Sequence, residues 1–223
     1  MRNLLCKNCL GQLLAAFVLV FLCREIVVWY DIIAAKYLLT PLVTAACIAI
    51  VVNALSFEGF NTYRLLILCG LVFALIADTL LMIVEVDLLQ YGIIFFLAVH
   101  LTYISAFSRG YRFRFWNIAV GLVLLAGMGY FYSRVHGRTN GLDTAILVYI
   151  TIISTMVFFA VSQLGRSRST RTMVLAAAAL LFMISDLVLA INAFLFPLPH
   201  SSVWTWALYG PAQAMIALTT YEF

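Results

Sequence analysis

Eight long apolar segments, separated by short breaks, dominate this chain of 223 residues. They lie near residues 10–28, 36–56, 61–84, 88–108, 115–133, 143–164, 172–196 and 201–220. A helix that crosses a bilayer needs about 20 mostly apolar residues, which is the length of each segment. The pattern predicts an all-α integral membrane bundle of about eight transmembrane helices, forming a single domain over residues 1–223.

The composition supports this prediction. Apolar residues make up 65% of the chain and charged residues 10%, whereas a soluble globular domain has about 45–50% and about 25%. An ordinary soluble protein, a disordered chain and a collagen-like fibre are therefore excluded. We expect an integral multi-pass membrane protein, located in the cell membrane if its source is bacterial.

The distribution of Lys and Arg predicts the orientation. Nine lie on the side that carries the N-terminus: Arg2, Lys7, Arg64, Arg109, Arg112, Arg114, Arg166, Arg168 and Arg171. Four lie on the opposite side: Arg24, Lys36, Arg134 and Arg138. Because cytoplasmic loops are enriched in these residues, both termini are predicted to be cytoplasmic. The net charge of +4 is small, and it favours contact with anionic head groups rather than with nucleic acid.

The N-terminus contains two patterns that resemble known motifs. Cys6 and Cys9 form a CxxC pair, but no second pair or partner histidine follows, so we expect no zinc or redox site. The basic start and apolar run of residues 1–23 resemble a signal peptide. No small-residue cleavage site follows this run, and Arg24-Glu25 comes directly after it, so we predict a retained first span.

Three ionisable residues lie deep inside apolar segments: Asp78, His100 and Asp186. An Asp at the centre of a membrane helix costs about 2.5–3.5 kcal/mol, and such residues generally mark functional sites. Counted at about 1.5 Å per helical residue, all three fall between the outer interface and the midplane. We expect them to share one cavity. Glu85 and Asp87 are interpreted as ordinary interfacial charges.

Helical spacing places further polar side chains beside these three. Tyr103 lies three residues after His100, on the same face of its helix. The other candidates lie on the seventh and eighth segments, and they are Ser185, Asn192, Tyr209 and Gln213. Each of them can alternatively bridge helices in a purely structural way. His100 is interpreted as a polar contact rather than a metal ligand, so we expect neither a metal nor another cofactor.

Two carboxyl groups in a low-dielectric pocket take different protonation states, because burial and mutual repulsion disfavour two charges. One can then act as an acid, while the other acts as a base or stabilises positive charge. Such a pair can hydrolyse an acid-labile bond through an oxocarbenium-like intermediate. No G-x-S-x-G, H-E-x-x-H or phosphate-binding glycine loop occurs in the sequence to indicate another hydrolytic chemistry. The natural substrate of this pocket is a lipid from the bilayer.

Four features of the apolar segments stand out: Asp78 on the third segment, AVHLTYISAF at residues 98–107, SDLVLAINAF at residues 185–194 and YGPAQ at residues 209–213. Together they resemble the YhhN/TMEM86 family. Two departures are visible: Ala77 stands where the family commonly has Gly, and Thr40-Pro41 stands where it commonly has Lys-Pro. The eight-span layout covers nearly the whole chain, and neither departure removes a carboxylate.

The resemblance implies a lysoplasmalogenase. Such an enzyme hydrolyses the vinyl ether bond of a choline or ethanolamine lysoplasmalogen, giving a fatty aldehyde and glycerophosphocholine or glycerophosphoethanolamine. Its partners would be a lysophospholipid from the bilayer and water. Asp78 and Asp186 are predicted to be the acid–base pair, in an order that the sequence leaves open. The predicted positioning residues are His100, Tyr103, Ser185, Asn192, Tyr209 and Gln213. Contacts to the substrate phosphate are predicted for Lys36, Arg24, Arg134 and Arg138.

Three alternatives remain open at this point. The first is a small proton- or cation-coupled transporter that uses the buried carboxylates as a relay. No internal repeat or pair of interrupted helices, which are usual in transporters, is visible in the sequence. The second is an intramembrane metal hydrolase with Asp78, His100 and Asp186 as ligands. The third is a structural membrane component without turnover.

Overall fold

A computed structural model of the chain describes residues 2–83 and 88–222, with the backbone alone for residues 2–8 and Leu89. These ranges contain eight α-helices and no strand. The helices are α1 (Arg2–Trp29), α2 (Ile33–Glu58), α3 (Thr62–Met82), α4 (Leu89–Phe107), α5 (Phe115–Val135), α6 (Asp143–Arg166), α7 (Thr170–Phe194) and α8 (Ser201–Leu218). The all-α fold and the positions of the eight segments are confirmed. Glu85, Asp87 and the side chain of Cys6 lie outside the described residues.

Seven of the eight helices, α1 to α7, are long and apolar enough to cross a membrane. The helix α8 is not among them; it has 18 residues and contains Pro211. It packs against α1, α2, α3 and α7, so protein surrounds much of its surface. This cover allows α8 to bring Tyr209 and Gln213 into the interior, where both are buried.

Helix packing departs from the chain order at one place. Consecutive helices pack against each other along the chain, but α4 packs against α6 rather than against α5. Short loops favour packing between consecutive helices, but α4 and α5 depart from this tendency. The reason lies in what each helix buries: α4 carries buried His100 and Tyr103, whereas α5 buries little beyond Asn117 and Val135. As a result, α5 lies at the periphery against α6.

Local sequence accounts for several helix ends. The side chain of Asn61 accepts a hydrogen bond of 2.8 Å from the backbone N–H of Arg64 and caps α3, and Ser169 caps α7 through Thr172. Such caps satisfy amide groups that have no partner inside the helix. The buried guanidinium of Arg64 then donates to the carbonyls of Thr220 at 2.8 Å and Gly59 at 3.0 Å. These hydrogen bonds join the start of α3 to the segments that follow the C-terminal ends of α2 and α8.

A close approach of α3 and α4 depends on a glycine. A Cβ atom built on Gly70 would collide with the ring of Tyr103 and would come within 2.8 Å of the hydroxyl of Thr102. A side chain at position 70 would therefore displace Tyr103, which is completely buried. Glycine at this position keeps Tyr103 directed toward α8.

Candidate active site

The carboxyl group of Asp78 on α3 lies at the end of a buried chain of hydrogen bonds. Its Oδ2 accepts from the hydroxyl of Thr44 at 2.5 Å and from the hydroxyl of Tyr209 at 3.0 Å. Tyr209 accepts from Nε2 of Gln213 at 3.0 Å, and Oε1 of Gln213 accepts from the hydroxyl of Tyr103 at 2.7 Å. We call these five residues the Asp78 network. It joins α2, α3, α4 and α8, and all five side chains are buried.

The carboxyl group of Asp186 on α7 belongs to a separate cluster. Its Oδ2 accepts from the hydroxyl of Tyr149 at 2.5 Å and lies 3.3 Å from Nε2 of His100. The same Nε2 lies 3.0 Å from the Tyr149 hydroxyl. These three residues, from α4, α6 and α7, form what we call the Asp186 network.

The ring of Phe182 lies between the two networks. Its centroid is 5.0 Å from that of His100 and 5.2 Å from that of Tyr209, in edge-to-face contacts. Phe182 has no exposed surface. An aromatic side chain therefore separates the hydrogen-bond networks of Asp78 and Asp186.

The two carboxyl groups differ in their access to cavities. Asp186 and Tyr149 line an apolar cavity of about 290 Å³ between α5, α6 and α7, and also a smaller one of about 50 Å³ on the side of α3 and α4. Val123, Ile184 and Leu187 of the larger cavity are 72%, 42% and 37% exposed. The larger cavity therefore opens at the surface of the bundle that faces the bilayer. Asp78 lines neither cavity.

Of the remaining predicted site residues, four belong to one of the two networks and two do not. His100 belongs to the Asp186 network, while Tyr103, Tyr209 and Gln213 belong to the Asp78 network. Ser185 is completely buried, and its hydroxyl has no hydrogen-bond partner among the described residues. The side chain of Asn192 accepts from the backbone N–H of Leu198 at 2.9 Å. It thereby holds the turn between α7 and α8 and contacts neither network in the described hydrogen bonds.

The sequence analysis missed three residues that complete the site. Thr44 supplies the shorter hydrogen bond to Asp78, Tyr149 connects His100 to Asp186, and Phe182 separates the two carboxyl groups. Thr44 and Tyr149 lie on the second and sixth spans, which were not predicted to contribute. The one available signal was a polar side chain in the middle of an apolar segment.

The cations predicted to contact a phosphate differ in exposure. Arg24 is 1% exposed; it donates to the carboxylate of Glu25 and the hydroxyl of Ser202, both at 2.8 Å. Its guanidinium also lies 4.5 Å from the ring centre of Trp206. Arg24 therefore acts inside the bundle. Arg134 and Arg138 are exposed, and Lys36 is half-buried.

The residues described do not support the metal hydrolase alternative. Among the side chains that the structure describes, those of residues 9–83, 88 and 90–222, no group of three or more from His, Cys, Asp or Glu is arranged to hold a metal ion. The three side chains proposed as ligands cannot converge, because Phe182 lies between the networks of Asp78 and Asp186.

Comparison with known proteins places the chain among its relatives. The sequence profile of the YhhN family matches residues 13–220. The chain belongs to the YhhN family. This confirms the resemblance read from the sequence, and in this YhhN chain the matching motifs contribute to both carboxyl networks.

Curated relatives of this YhhN chain include mammalian proteins. Lysoplasmalogenase TMEM86A from Bos taurus and from Homo sapiens is 31% identical over 160 residues, which is 70% of this chain and 65% of each relative. Lysoplasmalogenase TMEM86B from Sus scrofa is 32% identical over 135 residues, covering 59% of this chain and 54% of the relative. The chain thus spans just under two thirds of the length of the TMEM86A relatives. No solved structure matches it.

Proposed function

We propose that this protein is a lysoplasmalogenase-like hydrolase that cleaves the vinyl ether bond of a lysophospholipid taken from the bilayer. The observation that carries this proposal is the Asp186 network, a polar group in the wall of an apolar cavity that opens toward lipid. An apolar pocket with a few convergent polar groups is the usual form of a binding site for a small amphiphile. The names of the TMEM86A and TMEM86B relatives support the same reaction.

Asp186 is the carboxyl group that can contact substrate, because it lines the cavity and Asp78 does not. In its protonated form, Asp186 transfers its proton to the β-carbon of the vinyl ether. The electron pair of the double bond forms the new C–H bond, and the α-carbon becomes an oxocarbenium ion. The carboxylate that remains is stabilised by the hydrogen bond from Tyr149 and by Nε2 of His100 at 3.3 Å, and its negative charge stabilises the cation.

His100 is assigned the role of positioning Asp186 and Tyr149. When Asp186 is ionised it can only accept hydrogen bonds, so the single proton of the Tyr149 hydroxyl is donated to it. Nε2 of His100 must then act as a donor, which leaves Nδ1 as an acceptor in the neutral ring. Nδ1 is buried and has no partner among the described residues. His100 lines neither cavity, so it acts by holding Asp186 and Tyr149, and the attacking water is oriented by the carboxylate of Asp186.

The remaining steps return the site to its starting state. The attacking water loses one proton to the carboxylate of Asp186, and the product is a hemiacetal. The hemiacetal collapses to a fatty aldehyde and the free hydroxyl of the glycerophospho head group. One water is consumed and Asp186 ends protonated. Asp78 is assigned a supporting role, in which its hydrogen-bond network holds α2, α3, α4 and α8 together beside Phe182.

The test compares three lysophospholipids with the same head group and chain length, incubated with detergent-purified protein. One carries a vinyl ether, one a saturated alkyl ether and one an ester. We expect aldehyde from the vinyl ether and no cleavage of the alkyl ether, since only a double bond can accept the proton. Release of fatty acid from the ester without aldehyde from the vinyl ether would overturn the proposal.

A further inference from the structure

The larger cavity extends unequally to the two sides of the Asp186 network. Along α6 its lining runs from Ile146 to Ser154, about 12 Å at 1.5 Å per residue. Tyr149 lies near the start of this stretch. The longer part of the cavity therefore lies beyond Tyr149, toward the middle of α6.

This longer part has the character of a site for hydrocarbon. Its walls include Leu124, Ile150, Ile153 and Met183, and the polar residues among those that line the whole cavity are Tyr149, Ser154 and Asp186. Tyr149 of the Asp186 network lies about 9 Å along α6 from Asp143, the first residue of the helix. Ser154, at the far end of the cavity, lies about 16 Å along α6 from Asp143. The long axis thus runs from near one interface toward the midplane, as the chain of a bilayer lipid does.

Gly127 on α5 lies beside the middle of this cavity. Two contacts set the antiparallel register of α5 and α6: Sδ of Met128 lies 3.6 Å from the hydroxyl of Thr151, and a Cβ on Gly121 would meet Phe158 at 3.8 Å. Gly127 therefore lies level with residues 151–152, just beyond Tyr149. A Cβ on Gly127 meets nothing within 4 Å, so a larger side chain at this lining position has room to project into the cavity.

We propose that this cavity binds the single hydrocarbon chain of an amphiphile, and that Gly127 keeps it open to long chains. The chain enters sideways between α5 and α7, where Val123, Ile184 and Leu187 are exposed. Its reacting end lies at Asp186 and its methyl end points toward the midplane. The inference deepens the proposed function, and it rests on that function only for the position of the reacting bond.

The first experiment compares Gly127→Leu with Gly129→Leu. Gly129 lies on the same helix, also has nothing within 4 Å of a built Cβ, and does not line the cavity. Both substitutions replace Gly with a good helix former, so both variants should fold. The measurement is the affinity for non-hydrolysable alkyl ether lysophospholipids of increasing chain length, with the protein in nanodiscs.

The two variants are compared at each chain length, because nanodisc lipid takes up the amphiphile equally in both. In Gly127→Leu we expect a loss of affinity of tenfold or more relative to Gly129→Leu for long chains and little change for the shortest. Equal chain-length dependence in the two variants would overturn the inference.

The second experiment maps the bound chain without any turnover. An alkyl ether lysophospholipid with a diazirine near its methyl end is photolysed in the nanodisc, and labelled peptides are identified. We expect labelling of α5 around Val123 and of α7 around Met183. In Gly127→Leu we expect this labelling to be lost. If labelling follows this pattern but no aldehyde is ever released, the proposed reaction fails and the chain site stands. Aldehyde release with labelling confined to other helices would overturn the chain site and leave the reaction intact.

Discussion

Asp78 and Asp186 are the same residue type at similar depth in one bundle, yet their surroundings differ. Asp78 has its hydrogen bonds supplied by Thr44 and Tyr209, and it lines neither apolar cavity beside Asp186. Asp186 is 11% exposed, has two partners and forms part of a cavity wall. Both carboxyl groups lie inside the bundle, so burial does not distinguish them. Access to a cavity does, and it makes Asp186 the candidate reactive group. The predictions below test this contrast.

The largest expected effect is the difference in activity between the Asp186→Asn and Asp78→Asn variants. Asp186→Asn removes the proton donor, and we expect the rate of aldehyde formation to fall by about 10²–10⁴-fold, the usual contribution of general acid catalysis. Asp78→Asn preserves an acceptor oxygen for its two donors, so a fall of no more than about tenfold is expected. The measurement is kcat for both purified variants.

The folded state of each Asn variant is checked by its thermal unfolding in detergent. If Asp78→Asn lost as much activity as Asp186→Asn while remaining folded, the division of roles between the two carboxyl groups would be wrong.

A smaller difference in activity is expected between substitutions of Tyr149 and Tyr209. Tyr149→Phe removes a hydrogen bond to Asp186, and Tyr209→Phe removes one to Asp78. A hydrogen bond to a charged group contributes about 1.5–3 kcal/mol, so Tyr149→Phe should lower kcat by about 10- to 100-fold. Tyr209→Phe should change kcat less than about threefold and lower the stability instead. The comparison requires kcat and the unfolding midpoint of both variants, and a reversed pattern would contradict it.

The smallest effect concerns stability alone. Thr44→Val removes the donor to Asp78, which should destabilise the bundle by about 1–2 kcal/mol without loss of activity. Thr79→Val is the matched control, because the hydroxyl of Thr79 donates to the carbonyl of Leu75 in its own helix. The control should change the stability by less than about 0.5 kcal/mol. Similar unfolding midpoints for the two variants would contradict a specific role for Thr44.

Much of this organisation could be predicted from sequence. The apolar segments coincide with the helices, and the cost of ionisable groups in apolar sequence selected Asp78, His100 and Asp186. The separation of the two carboxyl groups could not be predicted, because spacing within a helix does not reveal which helices become neighbours. Phe182 is an apolar residue among many others, and only its contacts distinguish it.

The polar residues that were missed have a different explanation. Several hydroxyls in these helices bond to the backbone of their own helix, as Ser105 does to Leu101 and Thr155 does to Thr151. Nothing in the sequence distinguishes Thr44 from these residues. The opposite error concerns Asn192, whose helical spacing indicated a site residue but whose side chain holds the turn after α7. A polar side chain near a helix end has this local alternative, and spacing does not exclude it.

The most direct test of the account is chemical rescue of the two alanine variants. Asp186→Ala and Asp78→Ala are assayed for aldehyde formation with increasing formate, a small acid that can enter a cavity beside the missing side chain. We expect formate to restore turnover to Asp186→Ala, because that position lines two cavities, and to leave Asp78→Ala unchanged. Rescue of Asp78→Ala alone, or undiminished turnover by Asp186→Ala without formate, would contradict the claim that Asp186 is the acid that meets the substrate.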